Sequence, residues 1–184
     1  MLDKNWKFYN PVEVTSGNGC IDLLSDILPK DGTILIVTTS GFTKRGVLKT
    51  ITKLCNNNVI IHDEVTPNPE LDMLDYLVEV YKNKPIDIII ALGGGSVIDA
   101  GKVLSVSLRS PFTNPLHVVL RRGKEHCWDS KIPLIAIPTT SGTGAEVTPF
   151  ATVWDPIKHK KYSVAGEKVY PTAAVLGPNR ALAL

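Results

Sequence analysis

Cysteine is scarce in this sequence, which has only three, at positions 20, 55 and 127. An odd number of widely spaced thiols provides neither a disulfide framework nor a paired-cysteine metal site. Histidine is scarce as well, and no two histidines stand at the spacing of helical metal ligands. The four are His62, His117, His126 and His159. We therefore expect reduced cysteines, and histidines that pack in the core or lie on the surface.

Neither sign of charge is in excess, because 20 Lys and Arg face 18 Asp and Glu, which leaves a net charge of +2. That balance gives no basic face for nucleic acid. Long apolar runs are lacking too, since none reaches the length of a membrane span and the first residues lack the apolar core of a secretory signal. We expect a cytoplasmic protein without a nucleic-acid or membrane partner.

The sequence does have the composition of an ordinary globular domain, with 43% hydrophobic and 21% charged residues in a chain of 184. This length suits one hydrophobic core. Apolar runs alternate with helical periodicities, which predict strands at 33–38, 59–62, 88–92 and 132–138 and helices at 21–28, 42–55 and 71–81. The alternation predicts an α/β fold, a Rossmann-like parallel sheet with helices on both faces.

Two hairpins are predicted beside that sheet. Residues 6–14 alternate aromatic or aliphatic with polar side chains around an Asn-Pro pair, which predicts an N-terminal edge hairpin. Residues 148–165 alternate around a turn at Asp155 and Pro156, which predicts a second hairpin. A last short strand is predicted at 173–176.

A turn of three glycines follows the predicted strand 88–92. These glycines lack the β-carbons that keep a ligand away from the backbone. Ser96 is predicted to cap the next helix, with Asp99 completing a capping box, and the free amides of a first helical turn favour phosphate. The spacing of the residues in this turn matches neither a Walker loop nor the dinucleotide-binding fingerprint G-x-G-x-x-G, so both motifs are excluded. A plain strand-to-helix turn without a ligand stays an alternative.

A second turn, rich in hydroxyls and glycine, follows the predicted strand 132–138 and covers residues 139–146. Both turns fall at the carboxyl ends of strands, where parallel sheets bind ligands. Each turn supplies amides, and the second adds hydroxyls that can donate to phosphate or ribose oxygens. Together they predict one anion site. Between them, residues 110–130 show no sustained period, and residues 121–124 are interpreted as a solvated basic turn.

Two motifs in order and at the right separation carry a family resemblance, namely GGGS-x-x-D-x-x-K at residues 93–102 and IPTTSGTGAEVT at residues 137–148. With them, the sequence resembles the iron-containing, or group III metal-dependent, alcohol dehydrogenases. The sequence TPNP at residues 66–69 and Lys161 support the match, which covers essentially the whole chain. The resemblance implies a dehydroquinate synthase-like N-terminal domain in which residues 1–184 bind a dinucleotide.

The resemblance also implies the residues that would contact the cofactor. They are Thr39, Ser40, Asn68, Gly94, Gly95, Ser96, Asp99, Thr139, Thr140, Ser141, Thr143 and Lys161. Two charged residues of the first motif have an alternative, structural interpretation. Asp99 can serve as a helix cap, and Lys102 can reach a neighbouring carboxylate, without either residue contacting a ligand.

Thr39 stands where the family places an Asp near the adenine ribose. Enzymes that prefer NAD usually have a carboxylate there. Thr39 and Ser40 leave room for a 2′-phosphate, which Lys44 or Arg45 can neutralise, so NADPH is expected over NADH.

In the family, an Asp and three His bind the catalytic metal, in a helical domain that begins beyond the position of Leu184. We therefore expect Fe²⁺ or Zn²⁺ to belong to a full-length parent only, and this chain alone to bind nucleotide weakly without turnover. The parent is expected to transfer hydride between nicotinamide and a small aldehyde or alcohol. Short motifs at residues 150–155 and 160–163 resemble the branch that reduces phosphonoacetaldehyde.

Other readings stay open beside this one. The predicted protein partner is a second copy of the chain, which would form a homodimer through the N-terminal edge hairpin. One alternative function is a non-catalytic module that uses the nucleotide fold for binding or assembly. Another is a relative of dehydroquinate synthase or glycerol dehydrogenase, which metal ligands outside these residues would distinguish.

Overall fold

A computed structural model describes residues 8–55, 58–124 and 128–177 of the chain. The strands within those ranges are β1 (Glu13–Ser16), β2 (Thr33–Val37), β3 (Asn58–His62), β4 (Ile88–Gly93), β5 (Leu134–Pro138), β6 (Phe150–Asp155), β7 (Lys160–Ala165) and β8 (Ala173–Leu176). Six form one parallel sheet, in the order β1-β8-β5-β4-β2-β3, while β6 and β7 form an antiparallel hairpin. The predicted Rossmann-like α/β fold and the second hairpin are confirmed.

Helices connect these strands. The α-helices are α1 (Leu24–Ile27), α2 (Ser40–Lys44), α3 (Val47–Leu54), α4 (Leu71–Tyr81) and α5 (Gly95–Ser107). Three 3₁₀ segments cover Cys20–Leu23, Ala145–Val147 and Glu167–Val169, and a π-helical turn covers His117–Arg121. Over the ranges given above, no helix has both the length and the apolar character needed to cross a membrane.

The sheet is covered on both faces because its central strands β2 and β4 are almost wholly apolar, with Thr33 as the polar exception. Successive side chains of β2 point to opposite faces. Ile34 and Ile36 pack with α1, α2 and α3, whereas Leu35 and Val37 pack with α4 and α5. Every residue of β2 and β4 is buried. Strands with two buried faces require helices on both sides, which is the arrangement found.

The strand order changes direction between β2 and β4. β3 lies beyond β2 on one side, while β5, β8 and β1 follow β4 on the other. In α/β sheets such a switch point opens a crevice at the carboxyl ends of the strands. Thr38 joins the two strands there, since its Oγ1 donates to the carbonyl of Leu92 at 2.7 Å. The glycine turn after β4 therefore begins at the crevice.

The helix predicted at 42–55 is two helices instead, α2 and α3. Gly46 between them has a φ of 73°, in the left-handed region that ends a helix. Both helices still face the same core, through Phe42, Leu48 and Ile51. The apolar spacing therefore predicted the buried face correctly, and the left-handed glycine is the reason that one continuous helix was wrong.

The predicted N-terminal hairpin is wrong over the part of residues 6–14 that the structure describes. Residues 6 and 7 lie outside the described ranges, residues 8–12 form no strand, and β1 pairs in parallel with β8. Asn10 explains the difference, because its side chain accepts from the amide of Val12 at 3.0 Å and donates to the carbonyl of Val147 at 2.9 Å. The edge position is confirmed, and a dimer through this segment stays a prediction.

Candidate functional site

The two glycine-rich turns lie against each other at the end of β4 and β5. The amide of Thr139 donates to the carbonyl of Gly93 at 3.0 Å. A β-carbon on Gly94 would lie 3.2 Å from Oγ1 of Thr140, and one on Gly95 would lie 3.0 Å from Cγ2 of Thr143. Any larger residue would thus fill the gap between the turns. The glycines leave a backbone-lined cradle whose far wall carries threonine hydroxyls.

The start of α5 points into this cradle, but Ser96 does not cap the helix. The residue before the helix is Gly94, and no side chain bonds to the first amides. The hydroxyl of Ser96 instead accepts from the amide of Asn68 at 3.3 Å. The predicted capping box is therefore wrong, because Ser96 already lies within α5. Within this first turn the amide of Val97 already bonds to the carbonyl of Gly94 at 3.0 Å, so the amides of Gly95 and Ser96 are the ones that can bind an anion.

A cavity of about 290 Å³ opens beside the cradle. It is lined by Asn68, Pro69, Gly95, Ser96, Asp99, Thr143, Ala145, Thr148, Phe150, Thr152, Trp154 and Lys161. Six of the residues predicted to contact a cofactor meet here: Asn68, Gly95, Ser96, Asp99, Thr143 and Lys161. The lining combines carboxylate, ammonium and hydroxyl groups with aromatic surface, as expected of a pocket for a polar ligand with flat rings.

The hairpin of β6 and β7 forms one wall of this cavity. On the edge of β6 that faces away from β7, the amide of Thr152 donates to Oδ2 of Asp99 at 3.0 Å. The amide of Trp154 donates to the carbonyl of Pro69 at 2.9 Å. Asp99 thus binds the hairpin and caps no helix. Burial raises the pKa of Asp99, against the opposing effects of the Thr152 amide and Lys102.

Lys102 is fully buried behind the same wall. Its ammonium donates to Oγ1 of Thr148 at 3.1 Å and to the carbonyl of Phe150 at 2.9 Å. Lys102 therefore bonds to a hydroxyl and a carbonyl, and not to a carboxylate as one reading of the sequence expected. Burial lowers the pKa of Lys102 to about 8, while the charges of Asp99 and Glu146 act in the opposite direction.

A second cavity, of about 320 Å³, lies on the other side of the second turn. It is lined by Ser16, Pro138, Thr140, Ser141, Gly142, Glu146, Leu176 and Gly177. Thr140 and Ser141 thus face this cavity and not the first one. Thr139 is only 1% exposed and lies between the turns, where its amide bonds to β4.

The predicted contacts Thr39 and Ser40 line neither cavity, but stand at the end of β2, next to β4 at the switch point. A β-carbon on Gly41 would lie 3.7 Å from Nη2 of Arg45 and 3.8 Å from Oγ1 of Thr39, so these two groups flank Gly41. The guanidinium of Arg45 lies 4.7 Å from the ring centre of Phe42. The surface beyond Thr39 is thus bordered by a cation held on an aromatic ring.

Arg121 is not part of a solvated basic turn, which corrects the interpretation of residues 121–124. Its side chain is 11% exposed, and Nε bonds to Oδ2 of the fully buried Asp155 at 2.7 Å. Nη1 lies 2.8 Å from Oδ1 of Asp72. The bonds from Arg121 hold the pKa of Asp155 well below its usual value, at about 2. A periodic pattern cannot reveal such a pair, because its members are 34 residues apart.

Sequence reasoning also missed the residues of β6 that line the first cavity. Phe150, Thr152 and Trp154 face it, while Ala151, Val153 and Asp155 are buried on the opposite face. The period of two in this strand was recognised, and it could have separated the two faces. Only the contact with α5 decides which face meets the cavity.

No metal centre is found in residues 8–55, 58–124 and 128–177, where no group of three or more His, Cys, Asp and Glu side chains converges. His126 and Cys127 lie outside the described residues.

Comparison with known proteins places this geometry among dehydrogenases. A family model described as iron-containing alcohol dehydrogenase matches residues 11–178. The chain is 36% identical over 157 residues to an aldehyde-alcohol dehydrogenase of Streptococcus pneumoniae, which covers 79% of this chain and 18% of that protein. It is 29% identical over 177 residues to the NADPH-dependent aldehyde reductase YqhD of Escherichia coli, which covers 95% of this chain and 45% of the reductase.

Solved structures share the fold. An iron-containing alcohol dehydrogenase from Thermotoga maritima is 31% identical, with a TM-score of 0.77 over 98% of this chain and 50% of that one. A sulfoacetaldehyde reductase from Bifidobacterium kashiwanohense, in complex with NAD⁺, has a TM-score of 0.87 at 23% identity, over 99% of this chain and 48% of that one. At that identity the likeness concerns the fold alone. The chain spans half or less of the length of these proteins.

Proposed function

Because the chain belongs to the iron-containing alcohol dehydrogenase family, we propose that residues 1–184 are a dinucleotide-binding domain that holds NAD(P)H for an alcohol dehydrogenase or aldehyde reductase. The observation that carries the proposal is the cradle at Gly94 and Gly95, where a β-carbon would close the gap to Thr140 and Thr143. A gap kept open by two glycines, next to the first turn of α5, suits a pyrophosphate.

The two cavities on either side of the second turn extend this proposal. The amides of Gly95 and Ser96, with the hydroxyl of Thr143, would bind the pyrophosphate. Asn68, Asp99 and Lys161 line the first cavity and offer donors and acceptors for ribose hydroxyls. Thr140 and Ser141 line the second cavity, so an extended ligand that crosses the cradle can reach both spaces. The nicotinamide would supply the hydride, while these residues would bind and orient the cofactor.

The proposed preference is for NADPH over NADH. It is supported by Thr39 and Ser40, which place no carboxylate after β2, and by Arg45, whose guanidinium flanks Gly41 beside Thr39. Asp63 and Glu64 follow β3 nearby, but the hydroxyl of Thr43 donates to Asp63 and occupies one of its oxygens. An Arg beside a 2′-phosphate provides charge-assisted hydrogen bonds that NADH cannot form.

A titration of Arg45→Ala tests the preference. The variant should lose affinity for NADPH and keep its affinity for NADH, whereas Lys44→Ala, which removes the exposed cation that precedes Arg45 in the sequence, should change the ratio less. If the unaltered chain binds NADH more tightly than NADPH, the proposed preference for NADPH is wrong.

For the parent enzyme, we propose hydride transfer between nicotinamide and a small aldehyde or alcohol, with phosphonoacetaldehyde as the finer candidate. The short motifs at Phe150–Asp155 and residues 160–163 support that candidate, because both belong to the hairpin wall. The described residues do not fit a metal site, so what they contribute is binding and orientation. We propose that Fe²⁺ or Zn²⁺ takes its ligands outside residues 1–184, and that residues 1–184 alone have no dehydrogenase activity. An activity assay of the 184-residue chain with added Fe²⁺ or Zn²⁺ tests this proposal.

The binding proposal itself is tested by calorimetric titration of the 184-residue chain with NADPH and NADH. Gly95→Ala should weaken binding by roughly tenfold, since its β-carbon enters the cradle 3.0 Å from Thr143. Gly101→Ala is the matched control in the same helix. Its β-carbon meets Ala91 at 2.7 Å, outside the cradle, so it should lower the free energy of unfolding and leave the affinity unchanged. A chain that binds neither dinucleotide contradicts the proposal.

A further inference from the structure

Arg121 lies outside both cavities, yet it holds one end of the hairpin wall. Its Nε and Nη2 form a bidentate pair with Asp155, at 2.7 and 2.9 Å. On its other side, Nη2 donates to Asp72 of α4 at 3.0 Å. Arg121 thus connects α4 to the last residue of β6. A bidentate pair fixes direction as well as distance, because both partners are planar.

Asp155 passes this constraint on to the turn of the hairpin. Besides the two bonds from Arg121, Oδ1 of Asp155 accepts from the amides of Ile157 and Lys158, at 3.0 and 3.1 Å. The carboxylate is fully buried. Its orientation therefore sets the path of the chain from β6 into β7, and an Asp155 without Arg121 would be an unpaired buried charge.

The cavity residues adjoin this point directly. Trp154 precedes Asp155, and in the hairpin ladder Trp154 pairs with Lys161 while Asp155 pairs with Lys160. Both Trp154 and Lys161 line the first cavity. An isolated two-stranded hairpin is only marginally stable, so its position depends on attachments of this kind. A shift of Asp155 would therefore move two groups of the cavity wall together.

We propose that Arg121 is a positioning residue for the nucleotide site, which acts through Asp155 to fix Trp154 and Lys161 in the cavity wall. The inference rests on the proposed function, since it concerns the affinity of that site for a dinucleotide. Arg121 lines neither cavity. If it is a positioning residue, its replacement should reduce the affinity for NADPH more than it reduces the free energy of unfolding.

The experiment measures the dissociation constant for NADPH and the urea unfolding curve of the 184-residue chain and its variants. Arg121→Met combined with Asp155→Asn removes both charges, and an apolar and neutral replacement of a buried pair is often tolerated by the fold. Arg121→Lys keeps the positive charge but cannot form the bidentate pair with Asp155. Arg122→Met is the control, because Arg122 is the exposed neighbour in sequence. Energy transfer from tryptophan to bound reduced nicotinamide reports the position of Trp154 when all these proteins also carry Trp6→Phe and Trp128→Phe, which leave Trp154 as the one tryptophan of the sequence.

The double variant should remain folded, bind NADPH roughly tenfold more weakly, and show altered energy transfer, a loss of the size found between members of one hydrogen-bond network. Arg121→Lys should restore part of the affinity, and Arg122→Met should match the unaltered chain. A folded double variant with unchanged affinity overturns the inference. If that variant unfolds, unchanged affinity in Arg121→Lys overturns it. An unaltered chain that binds neither NADPH nor NADH overturns the proposed function instead.

Discussion

Lys102 should make a contribution to the free energy of unfolding that rises with pH between about 8 and 10.5. Its ammonium is fully buried, and among the described residues its hydrogen-bond partners are a hydroxyl and a carbonyl. Burial lowers its pKa from 10.5 to about 8. The perturbation that isolates this effect is Lys102→Met, which removes the charge and keeps a side chain of similar length.

The sign follows from proton counting. Below pH 8, Lys102 is protonated in both the folded and the unfolded chain, and the cost of burying its charge is fully present. Between pH 8 and 10.5 the unfolded chain binds more protons, so the free energy of unfolding increases with pH. From these two pKa values, the gain is about 2.5 kcal/mol between roughly pH 7 and pH 10, as an order of magnitude.

The assay is urea unfolding of the unaltered chain and of Lys102→Met across that pH range. Burial raises the pKa values of Cys55 and Tyr81, so these groups change the stability with the opposite sign at alkaline pH, but they are common to both proteins and cancel in the difference. Lys84→Met controls for the loss of one exposed positive charge. A difference that stays flat or falls with pH would refute the reasoning that Lys102 is buried as a cation at neutral pH.

Three further substitutions have expected effects on the free energy of unfolding, all measured by urea titration. Thr38→Val should destabilise by about 1 kcal/mol, because it removes the bond to the carbonyl of Leu92 between β2 and β4; no change would show that this bond contributes nothing. Gly46→Ala should cost about 1 to 2 kcal/mol, since alanine must adopt a left-handed φ there, and a stabilised variant would mean that α2 and α3 can fuse. Ser96→Ala should cost less than about 0.5 kcal/mol, because Ser96 caps no helix, so a loss as large as that of an N-cap would contradict the geometry.

Most of the fold could be predicted because strand and helix periods are local properties. The run at 88–92 became β4, and the helix predicted at 71–81 became α4 with the same limits. The misses occurred where one residue controls the chain direction. Gly46 ended a helix by its left-handed φ, and Asn10 tied its segment to Val147 in place of a second strand. Such effects depend on conformations and partners that a pattern of apolar residues does not contain.

The candidate site could be predicted to the extent that it follows from strand ends. Gly94, Gly95 and the hydroxyl-rich turn were expected at one edge of the sheet, and the structure brings them together. The hairpin wall was harder, because its contacts join distant residues. Thr152 meets Asp99 across 53 positions, and Phe150 meets Lys102 across 48. A charge that reads as surface in the sequence, such as Arg121, becomes a buried partner only through that packing.

The contacts of Asp99 and Lys102 with β6 also cover the outer edge of that strand. A two-stranded hairpin has two outer edges, one on each strand, and unpaired amides and carbonyls on such an edge invite strands of other molecules. Here the amide of Thr152 and the carbonyl of Phe150 are taken by Asp99 and Lys102, and the amide of Trp154 by Pro69. The two charged residues of the GGGS-x-x-D-x-x-K motif therefore close an edge that would otherwise be a template for aggregation.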